Sequence, residues 1–528
     1  MPTPPGRSNV NIRPWLPVVV FALIFAGGCA LNAINIGFPV YWHPDEIAKA
    51  SQIQTGDYNF NHPLLMLRLA TLFHALLPLD QSIRDTVLAG RFVSIATAAL
   101  AASIFGLLIA RRFGILFGIV TTILIALTPL MFIRAHFFKE EATLMMGIAL
   151  VMLAIQSVDT DAKPRNIALL GAAVGLAAAA KYVGGIMIVP AIAILISKRV
   201  RWMESARFLL CVILVFVAIN SAGIIGHSSL ETGLFRQIKH VATSHDGVSR
   251  GMKSAYALLL FWRITPAAIV GIWVAGMLAL LWRRLVIQRC GIEKASALTA
   301  MDAVVIFTPL LQLAMISLSA VITERYVLPA AVLAIVAAVW IAASAASSPR
   351  SSRAVQIIAT LALLIGGVST IATFTTTFHD LQQDARTRLR AWIAENLPPD
   401  AKIAAEFYAG LPTEQMLALD QTLPSVGRSI ERPFFHLAIA GSLASLREQG
   451  FTHIVISSMN FARFIDPVAK LTADTIARKE FYQSIFSRLT PIHEETSPTD
   501  LIGGTFGIQL LVYDIRNVAT AKGNGVGL

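Results

Sequence analysis

The sequence predicts an α-helical polytopic membrane protein of about eleven spans with a soluble C-terminal α/β domain outside the cytoplasm. Three observations predict it. Of 528 residues, 55% are hydrophobic and only 14% charged, where a soluble chain carries roughly a quarter. Apolar runs recur at 14–34, 87–110, 115–133, 142–158, 166–180, 183–197, 207–225, 266–282, 302–321, 326–346 and 355–376. After Phe378 the composition turns polar and strand-like runs alternate with helical ones.

The first run follows Arg7 and Arg13 and resembles a signal peptide. Its length suits a span, and many more follow, so an uncleaved first helix is expected. The 166–197 region admits two spans, or one long helix broken at Lys181. Basic clusters decide for two: Arg111-Arg112, Lys163 with Arg165, Lys198-Arg199 with Arg201, Arg283-Arg284 with Arg289, and Arg350 with Arg353 then all fall on the cytoplasmic face. The same count puts the C-terminus outside. The net charge of +12 is thus explained by lipid-facing loops, and no basic stripe interleaved with aromatics suggests nucleic acid.

Two outer segments exceed simple connectors. The first, about 35–86, contains the amphipathic stretch Leu64 to Leu77, expected to lie along the membrane surface because Arg68 and His74 interrupt it. The second runs from His227 to about Arg263 and holds Arg236, Lys239, His240, His245, Arg250 and Lys253. Residues 1–377 then form the membrane domain and 378–528 the external one. In the latter, Asp380 to Asn396 reads as a charged helix closed by Leu397-Pro398-Pro399. Strands are expected at Lys402 to Phe407, His453 to Ser457 and Ile508 to Asp514, and Ala521 to Leu528 is expected to be disordered. Cys29, Cys211 and Cys290 are scattered and give neither a disulfide framework nor a metal motif.

The chemistry-bearing residues cluster on the outer face. Tyr41-Trp42-His43-Pro44-Asp45-Glu46 follows the first run, and Asn61-His62-Pro63 comes soon after. Adjacent carboxylates there suit a general base and a metal or substrate ligand, or simply a solvated loop anchored by Trp42. Arg134-Ala-His136-Phe-Phe-Lys139-Glu140-Glu141 turns one span into the next; its carboxylates suit a site or a helix cap. Lys181-Tyr182 and Thr323-Glu324-Arg325-Tyr326 place cations at outer helix ends, as a phosphate site or as snorkelling side chains. Walker, HExxH and CxxC motifs are absent from the sequence.

With HPDE, NHPLL, HFFKEEA, AAKYVGG and ERYVLPA in this order, the chain resembles integral-membrane glycosyltransferases of the GT-C superfamily. It is most similar to the bacterial branch holding the protein O-mannosyltransferases and the lipid A aminoarabinose transferases. RAWIAENLPPDAKIAAE and FYQSIFSRL look like the periplasmic tail of bacterial members. The resemblance implies transfer of a sugar from a polyprenyl-phosphate donor to a hydroxyl of a glycan, lipid or protein, with inversion, at the outer face of a bacterial inner membrane. It implies that Asp45 is the catalytic base, with Glu46 its neighbour and Glu141 the acidic residue of the second loop. Lys181, Arg325 and Tyr326 match positions facing the lipid phosphate; His62, Lys139 and Tyr182 complete the expected substrate-binding set. Lys-Glu-Glu stands where relatives often have one Asp, which leaves open whether Glu140 or Glu141 points inward and whether a divalent metal is used. A transporter of a lipid or glycan precursor is the rival reading. It predicts repeated halves with interrupted helices, and no such repeat is seen.

Overall fold

A computed structural model describes residues 16–222, 229–243, 253–290, 299–319, 322–348, 351–420, 423, 425–465, 472–497 and 508–517. Arg7, Arg13, His227, His245, Arg250, Arg350 and the glycine-rich end lie outside the described residues.

The membrane part is built from α1 (Leu16–Ala33), α2 (Pro44–Thr55), α3 (Leu65–Leu76), α4 (Ile83–Phe113), α5 (Ile115–Ala126), α6 (Pro129–His136), α7 (Glu140–Thr160), α8 (Pro164–Ala180), α9 (Ile188–Ser197) and α10 (Trp202–Ile219). It continues through α11 (Ser229–Thr243), α12 (Lys253–Ile264), α13 (Ala267–Cys290), α14 (Ala300–Ser317), α15 (Glu324–Ser347) and α16 (Arg353–Gln382). Among the described residues, six helices are long and apolar enough to cross a membrane. There are seven if α5 and α6, bent by 62° at their break, count as one. Six more apolar helices have 10–17 residues. At about 1.5 Å per residue these fall short of roughly 30 Å of hydrocarbon, so the described residues present fewer full-length spans than eleven apolar runs imply. The 166–197 region shows why. α8 stops at Lys181, a 3-10 turn covers Tyr182–Met187, and α9 adds only ten residues.

The centre of the bundle is α4, α7 and α15, whose buried faces meet in one apolar core. By contrast α10 buries only Phe208, so most of its apolar surface faces outward. It docks on α8 through Gly171 and Gly175. A Cβ at either position would sit 2.4–2.5 Å from the carbonyl oxygens of Phe208 and Val212, so only glycine permits this approach.

Beyond α16, Asp384 accepts a hydrogen bond from the Arg386 N–H (2.8 Å) and starts α17 (Ala385–Asn396). A five-stranded mixed sheet follows, with β1 (Lys402–Ala405), β2 (Ser429–Glu431), β3 (His453–Ser457), β4 (His493–Thr496) and β5 (Gln509–Asp514) in the order β2-β1-β3-β5-β4. Strand β3 is parallel to β1 and antiparallel to β5. Its residues alternate between two apolar layers. Val455 faces Leu389 and Ile393 of α17, while Ile454 and Ile456 join the layer of Phe461, Phe481 and Tyr482.

Candidate active site

The short helix α2 presents the first outer carboxylates. Pro44 pre-sets its first turn, and His43 caps it by accepting the Asp45 N–H at its Nδ1 (3.2 Å). Adjacent helical residues point about 100° apart, so Asp45 and Glu46 part company at once.

Asp45 stays open: its side chain is 46% exposed and takes the ammonium of Lys139. Burial of the group pushes its carboxyl up, but Lys139, His43 and Lys49 outweigh this and hold it well below the usual range. Glu46 is fully buried. Its Oε1 accepts from Arg91 Nε (2.9 Å) and the Phe138 N–H (2.8 Å), and its Oε2 from Arg91 Nη2 (2.7 Å). Arg91 also donates to the carbonyls of Ile36 (2.7 Å) and Phe38 (2.6 Å). Glu46, expected beside Asp45 in catalysis, instead ties the first loop to α4 and to the Lys139 turn.

The turn before α7 supplies one counter-charge, Lys139, and two more carboxylates. The Lys139 turn puts Glu140 and Glu141 in the first turn of α7, both buried. Lys49 pairs with Glu140 (2.7 Å) and also donates to the Phe138 carbonyl (3.1 Å). Lys181, at the α8 break, pairs with Glu141 (2.8 Å). Tyr326 lies under both Lys181 and Arg325, each 5.2 Å from its ring. Four carboxylates thus pair with four cations, while Arg134 lies by Glu141 and the buried Glu324, and Arg325 by Glu141 and Tyr326. Both have a buried Nε without a hydrogen-bond partner.

The remaining expected residues are placed as follows. His62 sits 4.0 Å from Glu140, and burial, opposed by Glu140 and joined by Lys49 and Lys181, pushes it down to about 4, so it is neutral at physiological pH. The Tyr182 hydroxyl donates to the Phe60 carbonyl (2.9 Å) and so braces the α8 break against the first loop. Glu140 and Glu141 are each matched by a lysine, and among the described residues no three His, Cys, Asp or Glu side chains gather as a metal site.

Two members had not been singled out. Arg91 lies two turns beyond Arg84 and Asp85 in α4, with apolar neighbours on both sides, a position where an ionisable residue already signals a partner. Lys49 lies four residues after Asp45 and three after Glu46 on the same short helix.

Residues 61–224 match the family model for dolichyl-phosphate-mannose-protein mannosyltransferases. That stretch contains His62, Lys139, Glu140, Glu141 and Lys181, but neither Asp45 nor Arg325. No curated protein matches the chain. Among solved structures, the oligosaccharyltransferase of Archaeoglobus fulgidus in the apo form aligns with a TM-score of 0.50 at 11% identity. The alignment covers 96% of this chain and 75% of that one, and the likeness is one of fold. ArnT from Cupriavidus metallidurans bound to undecaprenyl phosphate aligns with a TM-score of 0.47 at 14% identity, over 94% of this chain and 97% of that one. The Pmt1-Pmt2 complex of S. cerevisiae bound to the sugar donor gives 0.30 at 15% identity, over 44% and 36%. The family match over residues 61–224 and the fold of the archaeal structure agree with the resemblance to membrane-embedded glycosyltransferases read from the sequence.

Proposed function

We propose that this chain transfers a sugar from a polyprenyl-phosphate donor to a hydroxyl of a glycan, lipid or protein acceptor at the outer membrane face, with inversion. The observation that carries the reading is an open carboxylate, Asp45, beside a membrane-depth cluster that holds Lys49, Lys139, Lys181, Arg134 and Arg325. The matched family's description names a lipid-phosphate-linked sugar as donor.

In this reading the acceptor O–H gives its proton to Asp45 as its oxygen bonds the anomeric carbon. The bond from that carbon to the phosphate oxygen breaks on the opposite face, and the electron pair leaves with the polyprenyl phosphate. The leaving group is a stable anion and needs no acid; it needs cations, which Arg325, Arg134 and Lys181 supply. Asp45 is fully ionised but weakly basic, so proton transfer belongs late in the step, when the hydroxyl has become acidic. Lys139 holds the carboxylate in place until an acceptor arrives. Glu46 contributes by position alone, through Arg91.

The test uses isolated membranes carrying the native donor and acceptor, with wild-type protein, Asp45→Asn or Glu46→Gln at matched levels. Asp45→Asn is expected to slow transfer by about 10²- to 10⁴-fold while undecaprenyl phosphate still binds. Wild-type transfer by Asp45→Asn would remove Asp45 from the role of base.

A further inference from the structure

The proposed catalytic loop is gripped from the opposite side by arginines of the C-terminal part. Arg386, on α17, places its guanidinium 4.0 Å from the Trp42 ring centroid, and both side chains are buried. Asp384 fixes that guanidinium with two hydrogen bonds, 2.7 Å from Nε and 2.8 Å from Nη2. On its other contacts Trp42 stacks on Phe38 at 5.3 Å. One turn later on α17, Arg390 reaches the Tyr41 hydroxyl (3.5 Å), and Arg432 lies 5.4 Å from the Tyr41 ring centroid. The backbone makes room for this grip. Gly410, at φ +64°, passes so close that a Cβ there would sit 2.4 Å from Arg386 Cδ.

A buried cation is expensive in an apolar setting unless its surroundings compensate it. Asp384 and the π face of Trp42 do so together, which makes this contact specific: a lysine keeps the charge, whereas a neutral side chain loses the attraction. Trp42 closes the 3-10 turn that runs directly into His43, the cap of α2, and Asp45 follows in the first turn.

We propose that Arg386 is a positioning residue: by clamping Trp42 it sets the start of α2 and so the placement of the Asp45 carboxylate. The inference rests on the reading of Asp45 as base. Through this clamp the C-terminal part takes a share in the reaction without touching substrate.

The test is a double-mutant cycle in the full chain with Arg386→Gln, Trp42→Leu and the pair, plus Arg386→Lys as the conservative variant. Initial transfer rate in isolated membranes, thermal unfolding and undecaprenyl phosphate binding are measured on each. Each single variant should slow transfer by about 3- to 30-fold, the range of one buried cation–π contact. The pair should be no slower than the worse single variant, and lipid binding should stay within twofold. Arg386→Lys, which keeps the charge but not the fork or the stack, should fall between wild type and Arg386→Gln. Multiplicative losses in rate overturn the clamp. Non-additive losses in unfolding with multiplicative or absent losses in rate overturn the positioning role, since the contact is then structural only. Should Arg386→Gln not fold, Gly410→Ala displaces the same guanidinium, and a wild-type rate with the Trp42 indole resonance shifted overturns the proposal equally. The unfolding cycle does not involve Asp45, so failure of the base assignment is seen separately, in Asp45→Asn.

Discussion

Two glutamates show how burial sorts carboxylates into different tasks. Glu46 has a full shell of donors from Arg91 and Phe138, so removing the cation leaves a buried charge held by one backbone N–H and no counter-ion. Arg91→Ala is expected to destabilise the chain by about 3–5 kcal/mol in reversible unfolding, with lost activity tracking lost folded protein. An unfolding midpoint equal to wild type would show that the pair contributes nothing. Glu406, just after β1, is the converse. Burial pushes it up to about 7 against hydrogen bonds from Tyr482 (2.5 Å), the Ser457 N–H (2.8 Å) and the Leu437 N–H (3.1 Å). Because its folded value lies above the unfolded one, its contribution to stability is complete below about 4.5 and is lost as pH rises through about 7. Thermal scans between pH 5 and 8 should show the C-terminal part losing stability over that window, and Glu406→Gln should flatten the slope. An unchanged slope would mean that another group titrates there.

Breaks between helices, more than helices themselves, build the site. The last turn of α6 carries Arg134, the turn before α7 carries Lys139 to Glu141, and the end of α8 carries Lys181. Such breaks are legible in sequence, because charged and glycine-rich pairs interrupt apolar runs at Lys181-Tyr182-Val-Gly-Gly and His136-Phe-Phe-Lys139. What sits at them was therefore legible as a set of residues, whereas their pairing was not. Spacing cannot say that Glu46 turns to Arg91 while Asp45 turns to Lys139, since partners 45 and 94 residues apart are chosen by packing. Short elements such as β2 and β4 were also out of reach, being three and four residues of mixed polarity whose strand state comes from their neighbours. The pairing at the α8 break leads to a test of its own. Lys181→Ala or Arg325→Ala should weaken undecaprenyl phosphate binding by about 10- to 150-fold, as loss of one charge-assisted contact would. Wild-type affinity in both variants would mean that these cations only balance Glu141.

At the scale of the whole molecule, membrane helices and C-terminal part meet at Tyr41 and Trp42, so both must lie on one side of the bilayer. We propose that this side is the exterior, where the pattern of basic loops puts it. Alkaline phosphatase fused after Phe378 should be active and after Arg284 inactive; the reverse would invert the topology and move Asp45 to the cytoplasm. The central claim is that this chain delivers a lipid-carried sugar through Asp45. Its most direct measurement is mass spectrometry of envelope lipids, glycans and proteins from cells lacking the chain, complemented with wild type or Asp45→Asn. The account predicts that one acceptor loses a single sugar mass in the deletion, regains it with wild type, and does not regain it with Asp45→Asn. Identical spectra in all three, or full recovery with Asp45→Asn, would contradict it.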